Sequence, residues 1–344
     1  MRIALDASYS VGQNLTGIGV YSKKLISGLA GTHPADKLLL CYRPKQYLQK
    51  QEPRRPNVRC RILQPPFPIG GAQLFHGLNQ RVDRRPAPKV VSTFHDLFVM
   101  TAEYSSSEFR VRFTEQAKRA AGNSDLIIAV STFTAEQVSN ILHVDRSRIR
   151  VVAHGVDRPK TTAPPASREK MILFVGALQT RKNIIRHVEA FERLDNSWRL
   201  VLAGAATGYG AAEILSRIDR SPAKDRIELP GHQHHSEVRT LYERASIFAF
   251  ATLDEGFGIP VLEAMAHGVP VITSNRSALP EVAGDAALFV DPCRVDEIEN
   301  ALKRLIESPV LRMDLAERGR ARSEIFPWTR TIEETYRVYE ELVS

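Results

Sequence analysis

The 344-residue chain predicts an α/β protein built from two successive parallel-sheet domains with a cleft between them. Three observations carry that expectation. Short apolar runs alternate with helix-period patterns along almost the whole length, which is the mark of βαβ units. The alternation breaks once, in a polar stretch at 159–170 holding Pro159, Pro164, Pro165 and two threonines, and then restarts. Such a stretch reads as an interdomain linker. The chain is also long enough for two full cores.

The first domain, 1–160, opens with a strand at 2–6 and a glycine-bearing loop (Gly12, Gly17, Gly19), followed by a helix over 20–30. Further apolar runs place strands at 37–42, 58–63, 90–94, 126–130 and 150–153. Helical periodicity marks 107–122, and another helix starts after Ser131, whose hydroxyl suits an N-cap. The second domain, 170–327, repeats the pattern, with strands at 171–175, 199–203, 247–251, 269–273 and 287–290. Its clearest helices are 236–244 and 296–307. The tail, about 328–344, is helical in period and is expected to cross back to the first domain.

Composition narrows the function classes. Hydrophobic content of 43% and charged content of 25% are ordinary for a soluble globular protein. No apolar run reaches the 18 residues of a membrane span, and the N-terminus reads as a buried strand rather than a signal peptide. Cys41, Cys60 and Cys293 have neither metal nor disulfide spacing and fit free thiols in a reducing cytoplasm. Residues 1–157 hold 22 Lys and Arg against 12 Asp and Glu, so the excess charge sits in the first domain. Much of it lies between Arg43 and Arg61, with Lys45, Lys50, Arg54, Arg55 and Arg59 opposed only by Glu52. That is either a solvated loop or a patch for anionic lipid or a lipid-linked pyrophosphate, on the inner face of the plasma membrane. No nucleic-acid-binding module accompanies the charge, so no nucleic-acid partner is expected.

Four constellations carry chemistry. Glu255 and Glu263 flank two glycines and a proline, in the order Glu255, Gly256, Phe257, Gly258, Ile259, Pro260. Glycines admit close backbone approach, and a helix start at Pro260 favours an anion. The second acid is expected in the first helical turn, within reach of a ribose. The stretch therefore reads as a cradle for a nucleotide diphosphate with one acid for each sugar. Arg181 and Lys182 follow a strongly apolar strand and suit a diphosphate leaving group, one as a bidentate fork and one as a point charge. Gly17 and Gly19 follow the first strand, where α/β folds bind ligands, though not with dinucleotide-fingerprint spacing. His95, with Asp96 beside it, ends another apolar strand and is placed to bond sugar hydroxyls or the reacting centre. The cluster His232, His234 and His235 lacks a companion acid or Cys at ligand spacing, and there is no Asp-x-Asp clamp, so no metal is expected. His76, His154 and His267 have no assignable chemistry.

Together these residues resemble the retaining glycosyltransferases of family 4, also called group 1, which have the GT-B fold of two Rossmann-like domains facing across a cleft. The likeness covers nearly the whole chain and is strongest over 171–290, where Glu255–Glu263 continues through Ala264, Met265, Ala266, His267 and Gly268 into Val269–Thr273. The resemblance implies that Glu263 binds the nucleotide ribose and Glu255 the donor-sugar hydroxyls. It gives the diphosphate to the backbone of Gly256, Phe257 and Gly258, and the departing phosphate to Arg181 and Lys182. It brings His95 to the sugar or the reaction centre and closes Gly17 to Gly19 over the donor. It implies no cofactor, no metal and front-face displacement with retention, so Glu255 is no covalent nucleophile. Two departures stand out: Ala177 where many members have Arg, with Arg181 expected to supply the charge, and Ala251-Thr252 in place of Pro-Ser. Asp6, Gly17-Ile18-Gly19-Val20-Tyr21 and Arg181-Lys182-Asn183 look most like bacterial mannosyltransferases of polysaccharide and O-antigen assembly. A hexosyltransferase is thus expected, with GDP-mannose as donor and a glycan or polyprenyl-pyrophosphate-linked glycan as acceptor. The alternatives are a UDP-sugar donor, or a non-catalytic nucleotide-sugar-binding scaffold.

Overall fold

The computed structural model describes residues 1–12, 15, 17–50, 55–63, 68–159, 161 and 168–344. It divides into two compact units. Unit 1 comprises Met1–Thr101, Ser107–Gly155 and Trp328–Ser344, and unit 2 comprises Ala102–Ser106 and Val156–Pro327.

Unit 1 is a seven-stranded parallel sheet. Its strands are β1 (Arg2–Asp6), β2 (Lys37–Tyr42), β3 (Val58–Ile62), β4 (Leu74–Gly77), β5 (Lys89–Phe94), β6 (Leu126–Ala129) and β7 (Ile149–Val151), in the spatial order β3-β2-β1-β4-β5-β6-β7. The helices α1 (Gly17–Thr32), α2 (Pro44–Tyr47), α3 (Phe98–Thr101), α4 (Ser107–Asn123) and α5 (Thr132–Leu142) join them. Strand runs such as Lys37–Tyr42 are buried after their first residue, as expected for a sheet whose two faces are covered. Ser131 caps α5 by accepting the Thr134 N–H at 3.0 Å.

Unit 2 is a six-stranded parallel sheet ordered β10-β9-β8-β11-β12-β13. Its strands are β8 (Glu169–Val175), β9 (Arg199–Ala203), β10 (Ile227–Gly231), β11 (Ala245–Phe250), β12 (Val271–Ser274) and β13 (Ala287–Val290). The helices are α6 (Ile184–Glu192), α7 (Ala211–Asp219), α8 (His235–Arg244), α9 (Ile259–Ala266), α10 (Leu279–Ala283), α11 (Val295–Glu307) and α12 (Pro309–Ser323). The last helix, α13 (Trp328–Val343), returns to unit 1 and lies on α1. Gly28 makes that docking possible: a Cβ there would come within 2.1 Å of Ile332 Cδ1. Ile332, Val338 and Tyr339 then join the core built on Ile3, Leu5 and Leu25. Two Rossmann-like α/β units are therefore present.

Four local expectations need correction. Strand β4 escapes a hydrophobic-run reading because His76 and Gly77 complete it, although all four residues are buried. Strand β10 escapes because it is a largely exposed edge strand containing Pro230. Helix α1 starts at Gly17, so Gly17 and Gly19 lie in its first turn rather than in a preceding loop. Gly19 sits where a Cβ would approach the Tyr9 carbonyl to 2.9 Å, so its role in the fold is close packing. Most of the linker expected at 159–170 lies outside the described residues, and β8 already begins at Glu169.

Candidate donor-phosphate site

In unit 2 the strand order reverses between β8 and β11, so the loops after these two strands diverge at their carboxyl ends. Such a point is where open α/β sheets bind ligands. The loop after β8 carries Arg181 and Lys182 in a short 3-10 turn, Thr180–Lys182. The loop after β11 carries Asp254 to Gly258 and leads into α9.

The two loops meet in a buried charge cluster. Arg181 Nη1 and Lys182 Nζ lie 2.8 and 2.6 Å from the same oxygen, Glu255 Oε1. Relative exposure is 7% for each of the three residues, so neither cation is a solvated surface group. Arg181 Nη1 also donates to the Asp254 carbonyl, and Lys182 Nζ lies 4.8 Å above the Phe250 ring. Burial raises the Glu255 carboxyl, but the Arg181 and Lys182 charges outweigh it and hold the group below its ordinary range. The cluster thus carries two positive charges against one negative charge, fixed in place before any anion arrives.

The supports were not legible as functional residues. Asn183 adopts a left-handed backbone at φ 60° and donates through Nδ2 to the carbonyls of Ala251 and Pro292 at 2.9 and 2.7 Å. His187 bridges the two loops: Nδ1 donates to the Asn183 carbonyl at 2.9 Å, and Nε2 accepts the Ala251 N–H at 3.0 Å. Burial pushes that imidazole down to about 4, which keeps it neutral, and the two hydrogen bonds place its one proton on Nδ1. The stretch Gly204–Gly210 braces the cationic loop through Leu178 N–H to the Ala205 carbonyl and Thr180 N–H to the Tyr209 carbonyl, both 2.9 Å. A Cβ on Gly204 would come within 1.9 Å of the Gly176 carbonyl oxygen. Ser277 Oγ accepts the Glu255 N–H at 3.2 Å.

Gly256, Phe257 and Gly258 are buried around the turn into α9. Gly258 is the N-cap at φ 100°, a conformation that favours glycine, and Leu279 occupies the space of the missing Cβ. The Phe257 ring stands edge-on to Phe326 at 6.0 Å. Glu263 lies in the second turn of α9, not the first. It is half-buried and accepts the Tyr242 hydroxyl at 3.1 Å. Burial, opposed by that hydrogen bond and reinforced by Asp157, raises its carboxyl to about 7.

Unit 1 places His95 at the end of β5, with 7% exposure. Its Nε2 donates to the Leu78 carbonyl at 2.9 Å, and its Nδ1 faces His154 Nε2 at 3.2 Å. Burial pushes His95 down to about 4, so His95 is neutral and Nδ1 accepts the His154 proton. Both ring nitrogens therefore have partners inside unit 1. Tyr21 stands edge-on to both imidazoles at 4.9 Å, and its hydroxyl pairs with Thr93 at 3.0 Å. Thr93 also meets His76, whose other nitrogen pairs with Tyr339 of α13 at 2.6 Å. His76 and His154 thus belong to the buried network that orients His95. Gly17 is exposed, and Gln13, Asn14 and Thr16 beside it lie outside the described residues. Among the described residues no group of three His, Cys, Asp or Glu side chains could hold a metal ion. Among the described residues no helix is long and apolar enough to cross a membrane.

The comparisons give the family and the fold. The family "Glycosyl transferases group 1" matches residues 158–322, and "Glycosyltransferase Family 4" matches residues 67–159. The chain belongs to these glycosyltransferases. It is 26% identical to O-antigen chain mannosyltransferase B of Escherichia coli, over 95% of this chain and 97% of that protein. It is 30% identical to an MMP alpha-(1->4)-mannosyltransferase of Mycolicibacterium hassiacum, over 67% of this chain and 58% of that protein. Among solved structures, sucrose-phosphate synthase from Thermosynechococcus elongatus superposes with a TM-score of 0.80 at 20% identity, covering 99% of each chain. WaaG, a glycosyltransferase involved in lipopolysaccharide biosynthesis, does so with a TM-score of 0.72 at 15% identity, covering 98% of each chain. The fold is accordingly GT-B, and the protein is a group 1 glycosyltransferase.

Proposed function

We propose that the protein is a retaining hexosyltransferase that moves mannose from GDP-mannose to a glycan or polyprenyl-pyrophosphate-linked glycan during cell-surface polysaccharide assembly. The observation that carries this reading is the convergence of Arg181 and Lys182 on Glu255 at the carboxyl ends of two adjacent strands. A diphosphate gains negative charge as the glycosyl bond breaks, and two desolvated cations fixed in advance stabilise that charge most in the transition state. In the front-face step, the acceptor oxygen bonds to the anomeric carbon as the carbon–oxygen bond to the diphosphate breaks. The acceptor proton passes to a leaving phosphate oxygen. Arg181 and Lys182 take the charge that a metal supplies elsewhere, so no metal is needed. Glu255 holds donor-sugar hydroxyls, Glu263 the ribose, and the turn Gly256–Gly258 lies against the diphosphate. His95, tied to Leu78 and His154, orients the sugar side of unit 1.

Mannose is supported by the two mannosyltransferase relatives, which carry that word in their names. A cytoplasmic place at the membrane face is supported by the basic first half of the chain, and sedimentation with neutral and anionic vesicles tests it. The central experiment is a calorimetric titration with GDP, UDP and ADP, then with the matching sugar nucleotides. Tighter binding of GDP and GDP-mannose is the expected result, and a UDP or ADP preference would overturn the donor. Lys182→Ala and Glu255→Ala should each lower transfer at least a hundredfold. Near-wild-type turnover in both would sink the site assignment.

A further inference from the structure

The basic excess of unit 1 leaves one built feature that the donor site does not use. The strand order of unit 1 reverses between β1 and β4, so ligand chemistry is expected at the carboxyl ends of those strands. Tyr9 closes the 3-10 turn directly after β1, Arg43 is the residue after β2, and Arg81 lies in the segment after β4. The guanidinium carbons of Arg43 and Arg81 lie 5.7 and 5.9 Å from the Tyr9 ring centre, so three elements bring two cations onto one aromatic ring. The Tyr9 hydroxyl is buried and has no hydrogen-bond partner among the described residues. A buried phenol normally finds one.

The surrounding charges do not cancel the pair. Among the described residues one carboxylate faces both cations: Asp6, whose Oδ2 lies 3.9 Å from Arg43 and which also feels the charge of Arg81. Asp6 is 1% exposed and already accepts the Ser8 N–H at 3.0 Å, so it lies beneath the arginines rather than competing at the surface. Arg81 is exposed and shares the single charge of Asp6 with Arg43, so the pair keeps a net positive charge. Two planar guanidinium forks and one hydroxyl donor suit an anion with several oxygens, such as a phosphate or pyrophosphate, better than a neutral sugar.

We propose that Arg43, Arg81 and Tyr9 form an anion-binding site in unit 1 that holds the phosphoryl group of the acceptor. The proposal rests on the glycosyltransferase reading and names the acceptor class: a sugar bearing a phosphate or pyrophosphate, either lipid-linked or free in solution. The loose geometry around the ring, with one cation exposed, gives an ionic interaction that weakens with salt.

The test titrates inorganic pyrophosphate, farnesyl pyrophosphate and mannose 1-phosphate into the full chain carrying Lys182→Ala, which silences the donor-side charge. The same titrations follow after adding Arg43→Gln and Arg81→Gln. At least a tenfold loss of pyrophosphate affinity is expected, and a several-fold loss for Tyr9→Phe. Affinity for nucleoside diphosphate in the double arginine variant with Lys182 intact should not change, which also shows that the variant is folded. Tighter binding of farnesyl pyrophosphate than of pyrophosphate identifies a lipid-linked acceptor, and equal binding or a preference for mannose 1-phosphate identifies a soluble one. Indistinguishable isotherms with and without the two arginines, or no pyrophosphate binding in their presence, overturn the proposal. A wild-type chain that binds no nucleoside diphosphate sinks the donor reading separately and leaves the arginine comparison intact.

Discussion

Glu263 is expected to trade stability for nucleotide binding, and Glu263→Gln exposes the trade. In the folded chain, burial raises its carboxyl from 4.5 to about 7. The folded state therefore prefers the protonated form. As pH rises through the unfolded value, the unfolded state loses its proton first, so stability falls from about pH 4.5 to about pH 7 and stays flat above. At 1.36 kcal/mol for each unit, the carboxylate costs at most about 3 kcal/mol at pH 8, an upper limit because the side chain is only half-buried. Glutamine keeps the shape and cannot ionise. Urea unfolding of the two proteins at pH 5 and pH 8 isolates this residue, because every other group titrates in both. The variant should gain roughly 2 kcal/mol on wild type over that interval while binding nucleoside diphosphate at least tenfold more weakly at pH 8. A stability difference independent of pH, or one that favours wild type as pH rises, refutes the reasoning.

Three further outcomes follow from the same geometry. Glu255→Gln removes the carboxylate held between Arg181 and Lys182, so nucleoside diphosphate should bind severalfold tighter while turnover falls at least a hundredfold; calorimetry and steady-state transfer together check it. His187→Leu leaves the Ala251 N–H without its acceptor and unties the two loops, at a cost of about 1–3 kcal/mol in denaturant unfolding. Transfer measured after exhaustive treatment with EDTA should match the untreated rate, and loss of activity restored by magnesium or manganese would overturn the metal-free reading.

The legible parts of this protein were those whose signal is local. Strands such as Met171–Val175 within β8 are continuous apolar runs, and Arg181, Lys182, Glu255 and Glu263 stand in short spans with glycine and proline at telling offsets. What could not be read was what only assembly defines. His187 looks like one more histidine on an amphipathic helix until α6 and the end of β11 come together around it. Gly204 and Gly28 are unremarkable glycines until the Gly176 carbonyl and Ile332 arrive. The helix start at Gly17 was hidden because glycine is a poor helix former, and close packing against Tyr9 overrides that preference. The His95–His154 contact joins residues 59 apart, a distance no motif spans.

The charge cluster also explains why Glu255 must sit where it does. Two cations buried at 7% exposure without a counter-charge would be costly, and the site would relax or fill with solvent anions. Glu255 offsets that cost in the resting protein by sharing one oxygen between Arg181 and Lys182. A diphosphate brings more charge and more oxygens than one carboxylate, so it can draw both cations away. Glu255 then needs new hydrogen-bond donors, because a buried carboxylate without partners is as unfavourable as the bare cations were. The hydroxyls of the donor sugar are the donors that arrive with the diphosphate. On this argument, sugar and phosphate recognition are coupled through one carboxylate. A nucleoside diphosphate lacking the sugar leaves Glu255 in competition with the ligand, and a nucleotide sugar relieves that competition. Wild type should therefore gain more from the added sugar than Glu255→Gln does. Equal gains in the two proteins would show that Glu255 serves only as a counter-ion.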